Sequence, residues 1–147
     1  MIINDLKNSD WKVQFETTNI LRRLTEFHPE LILSTSATNL HVIVLDLLGL
    51  IESLRSSVSK NALICLNELV IALRRQIDPE MEIILEKLMK KSVDTNVFIS
   101  SEVQRCLKSL SLYTTPSKVI DKLSVYKDNK NFAIKDAFIN TLLIMQN

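Results

Sequence analysis

The chain has 147 residues, a net charge of +1, 46% hydrophobic and 24% charged residues, one Gly and three Pro. One Gly excludes a Gly-rich phosphate loop, and near-neutrality gives no global electrostatic pull toward nucleic acid or a membrane surface. The length fits one domain with a sizeable core, and abundant Leu, Ile, Lys and Glu with little Gly and Pro predicts an all-α fold.

In chain order, a short helix is expected over about Ile2–Lys7. Asn8-Ser9-Asp10 turns the chain and offers an N-cap. A second helix runs from Trp11 to about Phe27, with Val13, Thr17, Ile20, Leu21, Leu24 and Phe27 at helical spacing. His28-Pro29 ends it, because the residue before a proline avoids the α region. Glu30–Ser34 reads as a helical turn and Thr35–Asn39 as the most polar linker. Leu40–Leu54 is a helix apolar nearly all round, hence buried on several sides. A polar break, Arg55-Ser56-Ser57, precedes a helix over about Val58–Gln76, with Ser56 or Ser57 as its cap. Asp78-Pro79-Glu80 restarts the chain by a cap, a proline at the first helical position and an acid at the positive end of the dipole. That helix runs to about Ser92. Asp94-Thr95-Asn96 turns, Phe98–Leu112 is helical, and Thr115-Pro116 repeats the cap-then-proline device. Ser117–Tyr126 and Phe132 to the end complete the count.

These are eight helices in four antiparallel pairs. The second helix of each pair aligns in columns: Val13, Val58, Ile99 and Ala133; then Thr17, Ala62, Val103 and Ala137; then Leu21, Leu66, Leu107 and Thr141; then Leu24, Leu69, Leu110 and Ile144. Helix pairs recurring at intervals of 45, 41 and 34 residues are the signature of an α-solenoid, in which each pair buries its apolar face on its neighbours. A closed helical bundle is the competing arrangement. The apolar end, Leu142–Met145, either closes on its own repeat or is covered by further repeats or an assembly partner.

Catalysis finds little support. His28 and His41 have no ligand-type residue at metal spacing, and no nucleophile or nucleotide motif is present. Asp46 and Glu52 lie in an apolar helix, where a structural acid is the commoner role. Cys65 and Cys106 fall inside apolar patterns, as buried free thiols of a reducing compartment. No cofactor is expected. The first residues lack the basic start and apolar run of a signal peptide, and Leu40–Leu54 is too short to span a bilayer. A cytoplasmic protein without a membrane or nucleic-acid partner is the expectation.

Three stretches carry a family resemblance. Asp10-Trp11-Lys12, at the first turn within a pair, resembles the Trp-bearing turn that opens TOG domains. Leu54 to Ala62, with Arg55, Ser56, Ser57 and Lys60, resembles the second turn of the crescerin and CLASP branches. Asp94-Thr95-Asn96-Val97-Phe98-Ile99 resembles the third turn of the crescerin branch. The resemblance covers Ser9 to about Leu110 and weakens after Thr115; the family usually has more HEAT repeats than the four counted here. It implies a non-enzymatic stack of HEAT repeats that binds tubulin or microtubules along the edge bearing these turns, in the cytoskeleton and, from the crescerin-like turns, a cilium or axoneme. The implied contact residues are Trp11, Lys12, Arg55, Ser56, Ser57, Lys60, Asp94, Thr95, Asn96 and Lys130. Antiparallel pairs put these turns on one edge, which also offers Lys90, Lys91 and Lys135. An acidic partner surface wants such cations around an aromatic anchor.

Each position has a plainer reading. Trp11 can pack on its own first helix. Arg55 can bond the last carbonyls of the preceding helix. Lys60 and Lys130 can be solvated, Lys90 and Lys91 can complement a helix end, and Phe98 can belong to the core. The alternative function is a HEAT-repeat scaffold for a partner other than tubulin.

Overall fold

The computed structural model describes residues 2–34 and 37–146. The chain is an all-α solenoid of HEAT-like helix pairs, and it divides into two compact units, one up to Ala72 and one from Leu73.

The first unit contains α1 (Ile2–Leu6), α2 (Trp11–Phe27), α3 (Pro29–Ser34), α4 (Ala37–Ile51) and α5, which begins at Ser56 and ends at Leu73. The backbone N–H of His28 donates to Leu24 O and closes α2; Pro29 then opens α3. The expected linker is shorter than its polarity suggests. Ala37–Asn39 already belong to α4, whereas Thr35 and Ser36 lie outside the described residues. The apolar helix stops at Ile51, and Leu54 stands in the following turn, wholly exposed. The Ser59 hydroxyl donates to Ile51 O at 2.6 Å and ties that turn from within. α1 packs on α2 and α4.

The second unit contains a 3-10 segment (Arg74–Glu80), α6 (Met81–Lys91), α7 (Val97–Tyr113), α8 (Pro116–Leu123), a 3-10 turn (Ser124–Tyr126) and α9 (Phe132–Gln146). α6 packs on α7, α8 and α9, and α7 on α9. The expected new helix begins at Met81 rather than at Pro79, without a side-chain cap. Arg74 adopts φ 52° and ends the α-helical hydrogen bonding, and the chain continues through a 3-10 segment that contains Pro79. The Asp78 carboxylate instead accepts from the Thr115 backbone N–H at 3.2 Å and from the Thr115 hydroxyl. It therefore anchors the start of α8, where Thr115 makes no side-chain cap of its own and Pro116 is the first residue.

The inward columns are as the spacing requires. Val58, Ala62, Leu66 and Leu69 of α5 are at most 1% exposed, and Ile99, Val103, Leu107 and Leu110 of α7 at most 3%. In α2 and α9 the middle positions Thr17, Leu21, Ala137 and Thr141 are buried, while Val13, Leu24, Ala133 and Ile144 are half-buried. Buried Thr25 and Thr141 return their hydroxyls to the carbonyls four residues earlier, which satisfies them inside apolar surroundings. The helical run Ser56–Lys91 is long and apolar enough, by length and composition, to cross a bilayer, with 56% of its apolar window buried inside the protein. Cys65 and Cys106 are buried free thiols, and burial pushes both well above the ordinary thiol range.

Asp46 of α4 and Asn67 of α5 each leave a buried side-chain oxygen without a hydrogen-bond partner, and of the two only Asp46 is titratable. Its Oδ1 lies 3.9 Å from Lys7 Nζ, and its Oδ2 is buried without a hydrogen-bond partner. Desolvation raises its pKa against the pull of Lys7. The native fold therefore penalises the ionised form, and the penalty is relieved as pH falls through the raised pKa. Asp46→Leu should stabilise the fold by about 1 kcal/mol in urea unfolding at neutral pH, with the gain shrinking in acid.

Candidate interaction edge

Every second helix starts from the same local device. A side-chain oxygen accepts the backbone N–H two residues on: Asn8 from Asp10 at 2.8 Å, Ser53 from Arg55 at 3.2 Å, Asp94 from Asn96 at 2.8 Å and Asn129 from Asn131 at 2.9 Å. The four acceptors stand 45, 41 and 35 residues apart, within one residue of the repeat intervals. The receiving residue then begins the helix. Asp10 accepts from Lys12 N, Asn96 from Phe98 N, and Asn131 from Ala133 N, all at 2.9–3.0 Å. In the second turn the Arg55 carbonyl accepts from Ser59 N at 3.0 Å. Arg55 thus holds the position before the helix, and Ser56 and Ser57 are exposed first-turn residues of α5 rather than its cap.

The consequence is a fixed division of labour. The acceptors and caps are committed to the turn, and the residue between them, or just after them, is turned outward. Ser9, Leu54, Thr95 and Lys130 are the exposed intermediates. After the caps come Trp11 (half-buried), Val97 (70% exposed) and Phe132 (84% exposed). Phe98 is also 70% exposed, not core, because its neighbour Ile99 takes the buried column of the same turn of α7. Asp94 and Asn96 are thereby structural within their turn. Lys91 pairs with Asp94 at 3.1 Å, and Lys90 with Glu86 at 2.8 Å.

In the first unit the fold brings two of the expected site residues together. The Arg55 guanidinium sits over the Trp11 ring, 4.5 Å from its centroid. The cation is held against the aromatic face rather than bonding the end of α4. Lys12, Arg55, Ser56 and Ser57 are exposed around this pair, and Lys60 is half-buried one turn further along α5. Leu54 projects beside it. In the second unit Thr95, Val97 and Phe98 are presented by one turn and Lys130 and Phe132 by another. Sequence reasoning missed Leu54, Val97 and Phe132, and assigned Phe98 to the core. The signal that marks them is the recurring acceptor-x-cap triplet, Asn8-Ser9-Asp10, Asp94-Thr95-Asn96 and Asn129-Lys130-Asn131.

Among the described residues no group of three or more His, Cys, Asp or Glu side chains could hold a metal ion. What the turns offer is contact chemistry: apolar or aromatic tips, cations and hydroxyls on rigid, doubly hydrogen-bonded loops.

The Asp94 carboxylate is held below its ordinary range, first by the Asn96 N–H and also by Lys91. A depressed pKa contributes stability that is present above the unfolded-state value and lost as pH falls through the folded one. Asp94→Ala should therefore cost about 1 kcal/mol at neutral pH. Urea unfolding should show that difference shrink as pH falls below the unfolded-state carboxylate range and through the lowered folded-state pKa.

The sequence matches the CLASP N terminal family over residues 5–147. TOG array regulator of axonemal microtubules protein 1 from Mus musculus is 30% identical over 118 residues, which are 80% of this chain and 6% of that protein. The Homo sapiens protein of that name is likewise 30% identical over 118 residues, 7% of its length. Crescerin-like protein che-12 from Caenorhabditis elegans is 27% identical over 140 residues, 94% of this chain and 11% of that protein. The chain thus spans 6% to 11% of the length of these relatives. Among solved structures, the crystal structure of an engineered protein aligns with a TM-score of 0.65 at 16% identity, covering 98% of this chain and 60% of its own; at that identity the likeness shows the fold alone.

Proposed function

The chain belongs to the CLASP N-terminal family of TOG domains, and on that premise we propose that it binds tubulin through the turns that start its second helices. The observation that carries the reading is the Trp11–Arg55 stack. A partly exposed indole with a guanidinium on its face offers desolvated area and positive charge at one point, which suits an acidic protein surface. Lys12 and the Ser56 and Ser57 hydroxyls surround it in the first unit; Thr95, Val97, Phe98, Lys130 and Phe132 extend the same chemistry in the second. Lys60 supports the charge. Asp94 and Asn96 act by holding their turn rather than by contact. The role is non-enzymatic, and the microtubules concerned are those of the cytoskeleton, with the axoneme named by the relatives as the site of action.

Binding through a few turns is expected to be modest in a single domain and to gain by repetition in an array. Purified chain and tubulin should co-elute in size-exclusion chromatography at low ionic strength, with the complex weakening as salt screens the exposed cations. Absence of co-elution at high protein concentration and low salt would refute the proposal.

A further inference from the structure

Each unit contains two neighbouring second helices, and the seam between them is built differently in each. Between α2 and α5 it is bridged by charge, beside a smaller groove of about 240 Å³ lined by Arg22, Glu26 and Glu68. Arg22 donates from Nη2 to Glu68 Oε1 at 2.8 Å, from Nε to Glu68 Oε2 at 3.0 Å and from Nη1 to Asn61 Oδ1 at 3.0 Å. Asn61 Nδ2 donates in turn to Asn19 Oδ1 at 3.0 Å. The hydrogen bond to Glu68 raises the Arg22 pKa.

The repeat columns carry Arg22 onto Lys108 and Glu68 onto Leu143. The cation recurs in the second unit and the acid does not. The seam between α7 and α9 is correspondingly unbridged and wider, a groove of about 610 Å³. Arg105 and Lys108 of α7 line one side, and Asn140, Leu143 and Ile144 of α9 the other; no carboxylate lines it among the described residues. Arg105 has its carboxylate partner one turn away on its own helix, Glu102 at 3.4 Å, and stays 70% exposed. Leu143 is 52% exposed. α9 buries Ala137 and Thr141 and leaves Ile144 half-buried and Asn140 and Leu143 exposed on this face.

We propose that the α7–α9 groove docks an acidic amphipathic helix of another protein. A carboxylate of the partner meets Lys108 and Arg105, and its aliphatic side chains cover Leu143 and Ile144. The partner supplies in trans the acid that Glu68 supplies within the first unit, and apolar burial beside a charge-assisted pair provides affinity and register together. This surface is separate from the turns and does not depend on the tubulin reading.

The test is an ¹⁵N NMR titration of the whole chain with a synthetic helical peptide patterned with Leu on one face and Glu beside it, against the same peptide with Lys for Glu. The Glu peptide should shift amides of α7 and α9, and the Lys peptide should not. Lys108→Glu should weaken binding by about tenfold or more. Leu143→Glu, which restores the missing acid, should close the groove, abolish peptide binding and raise the melting temperature while leaving tubulin co-elution unchanged. Equal binding of both peptides, or no shifts in α7 and α9, would overturn the proposal. So would concentration-dependent self-association lost in Leu143→Glu, since the groove would then belong to a second copy of the chain.

Discussion

A Trp11→Glu, Arg55→Glu double variant should bind tubulin about tenfold more weakly than the wild type, or not at all. The two side chains form one unit, with 4.5 Å between guanidinium and ring centroid. An exposed cation–π contact contributes only about 0.5–1 kcal/mol to the fold, so the loss concerns the partner more than stability. A glutamate as first residue of α2 is favoured by the helix dipole. The variant should therefore keep the helical circular dichroism of the wild type. Reversing Arg55 also places a like charge against an acidic partner, which slows encounter as well as removing contact. Arg23→Glu, a charge reversal at an exposed position in the middle of α2, is the control and should leave affinity within about twofold. Equal loss in that control would mean that net charge, not the turn, governs binding.

Leu110→Ala should cost about 3 kcal/mol in chemical denaturation, whereas Phe98→Ala should cost about 0.5 kcal/mol or less. Both residues lie in α7, and on hydrophobicity alone Phe98 would be the greater loss. Leu110 is fully buried, and its truncation leaves a cavity that the surrounding helices fill only in part. Phe98 is 70% exposed on the outer side of the first turn, whose inner side is taken by Ile99. In tubulin co-elution the order should reverse, with Phe98→Ala the more damaging at equal folded fraction.

The helices and their inward faces were legible because helical periodicity is a local property with a global consequence. Ala62, Leu66, Leu69, Val103, Leu107 and Leu110 repeat at spacings that an α-helix places on one side, and such faces recurring at the repeat interval favour stacked pairs over a closed bundle. The turns were legible as turns, from Asx residues and prolines. Their internal wiring was half-written in the triplets Asn8-Ser9-Asp10, Asp94-Thr95-Asn96 and Asn129-Lys130-Asn131. Only the tertiary structure decided what depends on residues distant in the chain. Asp78 resembles a cap for the helix that follows it, and it anchors Thr115, 37 positions away. Phe98 and Ile99 are equally apolar neighbours, and which one is buried depends on where the packed partner begins. Arg55 by its position could bond the last carbonyls of α4, and its guanidinium lies on the ring of Trp11 instead. The ring wins because α1 and α4 pack together and bring the two turns side by side. The repeat pattern belongs to the sequence; the meeting of Trp11 with Arg55, and the open seam beside Lys108, arise from packing between helices that no local signal encodes.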